Sequence, residues 1–146
     1  MPIIVQKYGG TSIGSIEKIS AVADKIISEK EKGNDIIVVV SAMSGETNRL
    51  IELAKSIDED VNGREYDVLI STGEQVTISL LAMTLIKKGH KAISLTGQQA
   101  GIITDSIFNK ARIESIDKSK IKKHLDSGYI VIVAGFQGVT ERGDIT

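Results

Sequence analysis

The sequence predicts an α/β fold, a three-layer α/β/α arrangement with a mostly parallel central sheet, on three observations. Short β-branched runs alternate along the chain with longer segments of helical period. Two of the runs, Ile36-Ile37-Val38-Val39-Val40 and Tyr129 to Ala134, are continuously apolar, the pattern of strands covered on both faces. Each strand candidate also ends in a loop of small and polar residues, where open parallel sheets collect ligands.

The elements follow in order. Ile3 to Gln6 reads as a short strand, closed by the paired glycines of Lys7-Tyr8-Gly9-Gly10-Thr11-Ser12. Ile16, Ile19, Ala23, Ile26 and Ile27 recur at spacings of three and four and predict a helix, which Gly33 and Asn34 stop. Ile36 to Val40 is the central strand. Leu50, Leu53, Ala54 and Ile57 mark a second helix, followed by a polar surface connection from Asp58 to Glu65. Val68 to Ile86 is apolar on nearly every face but is interrupted by Gly73-Glu74, and it reads as two helical pieces or one helix broken at the glycine. Ala92 to Leu95 is another strand. Thr96 to Arg112 has no sustained period and reads as a long irregular excursion. Asp117 to Ser127 returns to helix, Tyr129 to Ala134 to strand, and Thr140 to Thr146 begins a turn into a further strand. The chain reads as one domain that stops short, without a terminal helix or cap.

Composition narrows the function. The 146 residues carry 18 basic and 19 acidic side chains, a net charge of −1, so no field drives general binding to phosphate backbones and no nucleic-acid partner is expected. The absence of cysteine excludes a disulfide framework, a thiol nucleophile and every cysteine-containing metal site, and fits a cytoplasmic setting. The most apolar uncharged stretch, Gln75 to Ile86, is about a dozen residues against roughly 20 for a membrane span, so no membrane segment is expected. His90 and His124 lie beside lysines with no second ligand at metal spacing, so no metal site is predicted. The run Lys118, Lys120, Lys122, Lys123 reads as a solvated helix face.

Glycine-rich loops at strand ends favour an anion, because backbone N–H groups can approach it closely. No glycine precedes a lysine, which excludes the GxxxxGK[ST] loop, and Gly9 to Gly14 does not match GxGxxG. Lys7 therefore reads either as a solvated lysine or as an ammonium reaching over a phosphate. Glu74 sits in the most apolar segment, where a lone carboxylate is expensive; it is either an N-cap or first-turn acid or a group awaiting a partner. Ser41, Ser44 and Thr47 follow the central strand and can donate to a ligand or cap the next helix.

Five segments taken together resemble the N-terminal part of the catalytic domain of aspartate kinases, within the amino acid kinase family. They are Lys7-Tyr8-Gly9-Gly10-Thr11-Ser12, Val38 to Gly45, Ser71-Thr72-Gly73-Glu74-Gln75, Leu95 to Gly101 and Ala134-Gly135-Phe136-Gln137-Gly138. Tyr8 stands where the family more often has phenylalanine, and Asn109-Lys110-Ala111-Arg112 where it often carries glycine. The resemblance implies that residues 1–146 are the substrate-side portion of the domain, with the nucleotide-base portion and regulatory ACT domains lying beyond. It implies transfer of the γ-phosphoryl of MgATP to the side-chain carboxylate of L-aspartate, for lysine, threonine and methionine synthesis, by a homo-oligomer in the full-length protein. Lys7, Tyr8, Gly9, Gly10 and Ser41 would serve the ATP phosphates, with Lys7 catalytic. Gly45, Glu46, Thr47, Glu74, Phe136 and Gly138 would bind the amino acid, and Mg²⁺ would be held mainly through the phosphates. The alternatives are another phosphotransferase of the family, or a catalytically silent ligand-binding or dimerising fragment.

Overall fold

In a computed structural model, which describes all of residues 1–146, a four-stranded parallel sheet organises the chain. Its strands are β1 (Ile3–Tyr8), β2 (Asp35–Val40), β3 (Ala92–Leu95) and, after two short strands β4 (Ile102–Thr104) and β5 (Ile113–Ile116), β6 (Ile130–Ala134). The order across the sheet is β1-β2-β6-β3. Every neighbouring pair is parallel, so Tyr8, Val40, Ala134 and Leu95 end their strands on one edge.

The helices are α1 (Ile16–Glu31), α2 (Glu46–Ile57), α3 (Arg64–Lys87) and α4 (Lys118–Asp126), with a 3₁₀ turn at Gly10–Ile13 before α1. Ser15 starts α1 by accepting the Lys18 N–H, and Asp117 does the same for α4 through the Ser119 N–H. The main core lies on one face of the sheet. There Ile19, Val22 and Ile26 of α1 and Ile78, Leu81 and Leu85 of α3 pack on Ile36, Val38, Val40, Ile130 and Ile132. Each fully buried Ile or Leu contributes roughly 1.5–3 kcal/mol relative to exposure. The other face carries a smaller cluster in which Leu125 of α4 meets Val131, Val133, Leu95 and Ala100.

Several sequence expectations are corrected. Gly73 does not break the helix: α3 runs unbroken through it for 24 residues. A Cβ at Gly73 would stand 2.9 Å from the Ala42 Cβ, so the glycine is there for close approach to the loop after β2. Glu74 is accordingly neither an N-cap nor a first-turn acid but lies mid-helix. The excursion after Thr96 is more ordered than its sequence suggests, since β4 pairs antiparallel with β5 across a bulge and all four β5 residues are exposed. Finally, only β6 is buried along its whole length; β2 alternates between buried and half-buried, because the second face is thinly covered near β1 and β2. β1 itself extends to Tyr8, and the end of the chain forms single bridges, Val139 with Ile103 and Ile145, instead of a full strand.

By length and composition α3 is apolar enough to cross a membrane. Its Ile78, Leu81, Ala82 and Leu85 are nevertheless part of the main core, so it is the central helix of this fold.

Candidate active site

Because the strands are parallel, the loops after β1, β2, β3 and β6 converge on one edge of the sheet. Backbone bonds hold the first two together: Ser41 N–H donates to the Tyr8 carbonyl at 3.2 Å and Ser44 N–H to the Gly10 carbonyl at 3.2 Å. A side chain at Gly10 would collide with the Ala42 carbonyl at 2.9 Å, whereas nothing lies within 4 Å of a Cβ at Gly9. The first glycine leaves open space over the loop and the second lets it dock. Neither Gly9 nor Gly45 places a side-chain cap on the helix it precedes. Gly45 adopts φ +82°, a conformation other residues resist.

Lys7 is exposed. Its register partner across the sheet is Val39, which in turn pairs with Val133, so these three side chains share the second face. Tyr8 points the other way: its ring packs against the main core and its hydroxyl donates to Gln6 Oε1 at 3.0 Å. Burial, and secondarily the negative charge of Glu29, raises the Tyr8 phenol above its ordinary value. Tyr8 therefore reaches the loop cluster through its backbone alone.

Glu74 is 3% exposed. One carboxylate oxygen accepts the Ala42 N–H at 3.3 Å, and the other is buried with no hydrogen-bond partner. Burial pushes its carboxyl above the ordinary carboxylate range, against the pull of the backbone N–H groups of Glu74 itself and of Ala42. The Cγ of Glu46 lies 3.8 Å from the Cβ position at Gly73, which places the start of α2 against α3 one residue before Glu74. Glu46 is satisfied: Arg49 Nη2 donates to its Oε1 at 2.6 Å and Arg49 Nε to its Oε2 at 3.1 Å. Thr47 is half-buried on the same first turn.

On the second face, a cleft of about 390 Å³ is bordered by Val39, Val133, Gly135, Phe136, Gly138 and Lys110, among others. Phe136 is 84% exposed and held at φ +63°. Gly135 passes tightly beneath the Val40 carbonyl, 3.0 Å from where a Cβ would stand, and Gly138 lies against Thr104 and Ile102, 2.5 Å at the nearest, too close for a side chain. The structure thus brings the Gly9-Gly10 loop, Ser41, the Gly45 to Thr47 turn and Glu74 to one edge. Phe136, Gly138 and the face that carries Lys7 border the cleft beside it. Sequence reasoning did not single out Gln137, whose amide joins two of these loops to α3, although it lay inside a motif already noted.

The sequence model of the amino acid kinase family matches residues 2–146. The chain belongs to the amino acid kinase family. All 146 residues align at 60% identity with an aspartokinase of Geobacillus stearothermophilus, covering 36% of that relative. A solved aspartate kinase from Synechocystis superposes with a TM-score of 0.81 at 44% identity, covering the whole chain and 24% of that structure. E. coli aspartokinase III in complex with aspartate and ADP has the same fold, with a TM-score of 0.82 at 20% identity over the whole chain and 43% of its own length. The chain spans about a third of the length of the curated relatives it matches.

Proposed function

We propose that the protein bearing this chain transfers the γ-phosphoryl of MgATP to the side-chain carboxylate of L-aspartate, and that residues 1–146 supply the substrate-side portion of its active site. The observation that carries this reading is Glu74, a buried carboxylate with one oxygen left unpaired at the edge where four strand ends meet. An α-ammonium group seated there would supply the missing partner and stabilise the ionised form. The similarity to aspartokinases along the whole chain supports the same acceptor.

The chemistry suits the residues at hand. An aspartate side chain, with a reference pKa of about 3.9, is already ionised near neutrality, so the nucleophile needs no general base. Its oxygen attacks the γ-phosphorus, a new O–P bond forms, and the bond to the β,γ-bridging oxygen breaks as ADP leaves with the electron pair. The protein's task is to position the groups and neutralise charge on the transferring phosphoryl. Lys7 would stabilise its oxygens, and the Gly9-Gly10 loop, with Ser41 beside it, would close over the phosphates by backbone N–H groups. Glu74 would hold the ammonium, with Thr47, Glu46 and Gly45 at the adjoining turn and Phe136 and Gly138 bordering the acceptor. Magnesium would enter as part of the substrate, MgATP, ligated mainly by phosphate oxygens.

The test is acyl-phosphate formation dependent on ATP and aspartate, trapped with hydroxylamine. The natural protein containing this chain is expected to be active, its Lys7→Ala variant to lose about 10²–10³-fold in kcat, and residues 1–146 alone to be silent. No product from aspartate with the unaltered protein would move the acceptor to another carboxylate, carbamate or phosphate. An unimpaired Lys7→Ala variant would remove Lys7 from the mechanism.

A further inference from the structure

We propose that Gln137 is a positioning residue that fixes the acceptor side of the site by clamping the loop after β6 to α3. The proposal rests on the functional reading above, in which Phe136, Gly138 and Glu74 border one acceptor.

Gln137 uses both ends of its amide. Its Nε2 donates to the Ser71 carbonyl at 3.0 Å, and its Oε1 accepts the Gly97 N–H at 3.4 Å. Ser71 lies three residues before Glu74 on the same side of α3, and both are buried. One half-buried side chain therefore ties together the loop carrying Phe136, the loop after β3 and the helix carrying Glu74. The backbone of Gln137 is equally confined, because a Cβ at Gly97 would stand 2.5 Å from the Gln137 carbonyl oxygen. This contact explains why the loop after β3 needs glycine at Gly97.

The clamp has something to restrain. Phe136 sits at φ +63°, a region unfavourable for an aromatic residue, with its ring 84% exposed. Neither solvent nor ring packing holds it there. The restraint comes from its neighbours, the close approach of Gly135 to the Val40 carbonyl and the Gln137 amide on α3. Without the amide, Phe136 is free to relax to negative φ, which swings the ring and moves Gly138 relative to Glu74. The Gly9-Gly10 loop and Lys7 are held by other bonds and do not depend on Gln137.

The consequence is a split between the two substrates. In the natural protein containing this chain, Gln137→Met removes both hydrogen bonds, and Gln137→Glu sets a carboxylate against the Ser71 carbonyl. For each variant, KM for aspartate is expected to rise about tenfold, on the scale of one or two lost hydrogen bonds, with KM for ATP within about twofold. In Gln137→Met, which leaves the Gly97 N–H without its acceptor, amide exchange is expected to speed up at Gly97 and residues 135–138 while the core strands keep their protection. An unchanged KM for aspartate in a folded variant overturns the proposal. So does a parallel rise of both KM values with exchange faster throughout, which marks a merely structural role. If the unaltered protein does not phosphorylate aspartate, the functional reading falls and the acceptor part of this proposal falls with it. The exchange arm still decides the clamp, which unchanged exchange at Gly97 and 135–138 would refute.

Discussion

At the start of α2, Glu46 is half-buried and gripped by two Arg49 nitrogens; midway along α3, next to the Gly73 that the Glu46 side chain approaches, Glu74 is buried with one oxygen unpaired. The side chains are the same and their electrostatics are opposite. Hydrogen bonding from Arg49 holds the Glu46 carboxyl below its ordinary value, whereas burial holds that of Glu74 above it. A satisfied surface carboxylate has little to gain from a cationic ligand. A desolvated one gains a great deal, and this separates a helix-start ion pair from a binding group.

The close approach that creates the contrast is the first place to attack it. Gly73→Ala adds a methyl 2.9 Å from the Ala42 Cβ. The overpacking, about 1–3 kcal/mol, offsets or outweighs the gain of about 1 kcal/mol in helix propensity, so a net loss of up to about 2 kcal/mol is expected from urea denaturation. Adding Ala42→Gly should recover part of it. A stabilised Gly73→Ala protein would mean that the spacing between α3 and the loop after β2 is slack.

The second prediction concerns pH. Because the folded value of Glu74 is raised, its contribution to stability is fully present below the unfolded value of about 4.5 and is lost as pH rises through the folded value. Glu74→Gln lacks this titration, so its stability relative to the unaltered protein should grow with pH across that window. Glu46 works in the other direction: its contribution is present above its unfolded value and is lost as pH falls through the lowered folded one. Denaturation midpoints followed above the ordinary carboxylate value for Glu74→Gln and below it for Glu46→Gln should therefore shift with pH in opposite directions relative to the unaltered protein. Like signs would dissolve the contrast.

The smallest effect is expected at Arg49, which is mostly exposed. Arg49→Ala should barely move the unfolding midpoint and should weaken further in its effect as salt is added. A large change would show that the pair at α2 does more than the geometry indicates.

Much of this was legible in the sequence, for identifiable reasons. The continuous β-branched runs located β2 and β6, and the small and polar residues at the strand ends marked the loops that cluster at one edge. Glu74 stood out because a carboxylate within an apolar run must be accounted for. Gly73 was misread because local sequence does not distinguish a glycine that ends a helix from one that admits a neighbouring backbone; the Ala42 contact decides that, and it is 31 residues away in sequence. The β4–β5 pair escaped notice because its strands are only three and four residues long and bulged, and β5 is exposed along its whole length, so no buried face imposes a period. Gln137 was invisible as a clamp for the same reason as Gly73: its partners lie 40 and 66 residues away.

The central claim is that the unpaired oxygen of Glu74 receives the ammonium of the acceptor. The most direct measurement is KM and kcat for aspartate in the natural protein containing this chain, unaltered and as Glu74→Gln, with KM for ATP as the internal reference. Gln keeps the shape and removes the charge. The account predicts that kcat/KM for aspartate falls by at least about 30-fold, as expected when one partner of a buried charge pair is neutralised, while KM for ATP stays within about twofold. An unchanged kcat/KM for aspartate in a folded Glu74→Gln protein would contradict it.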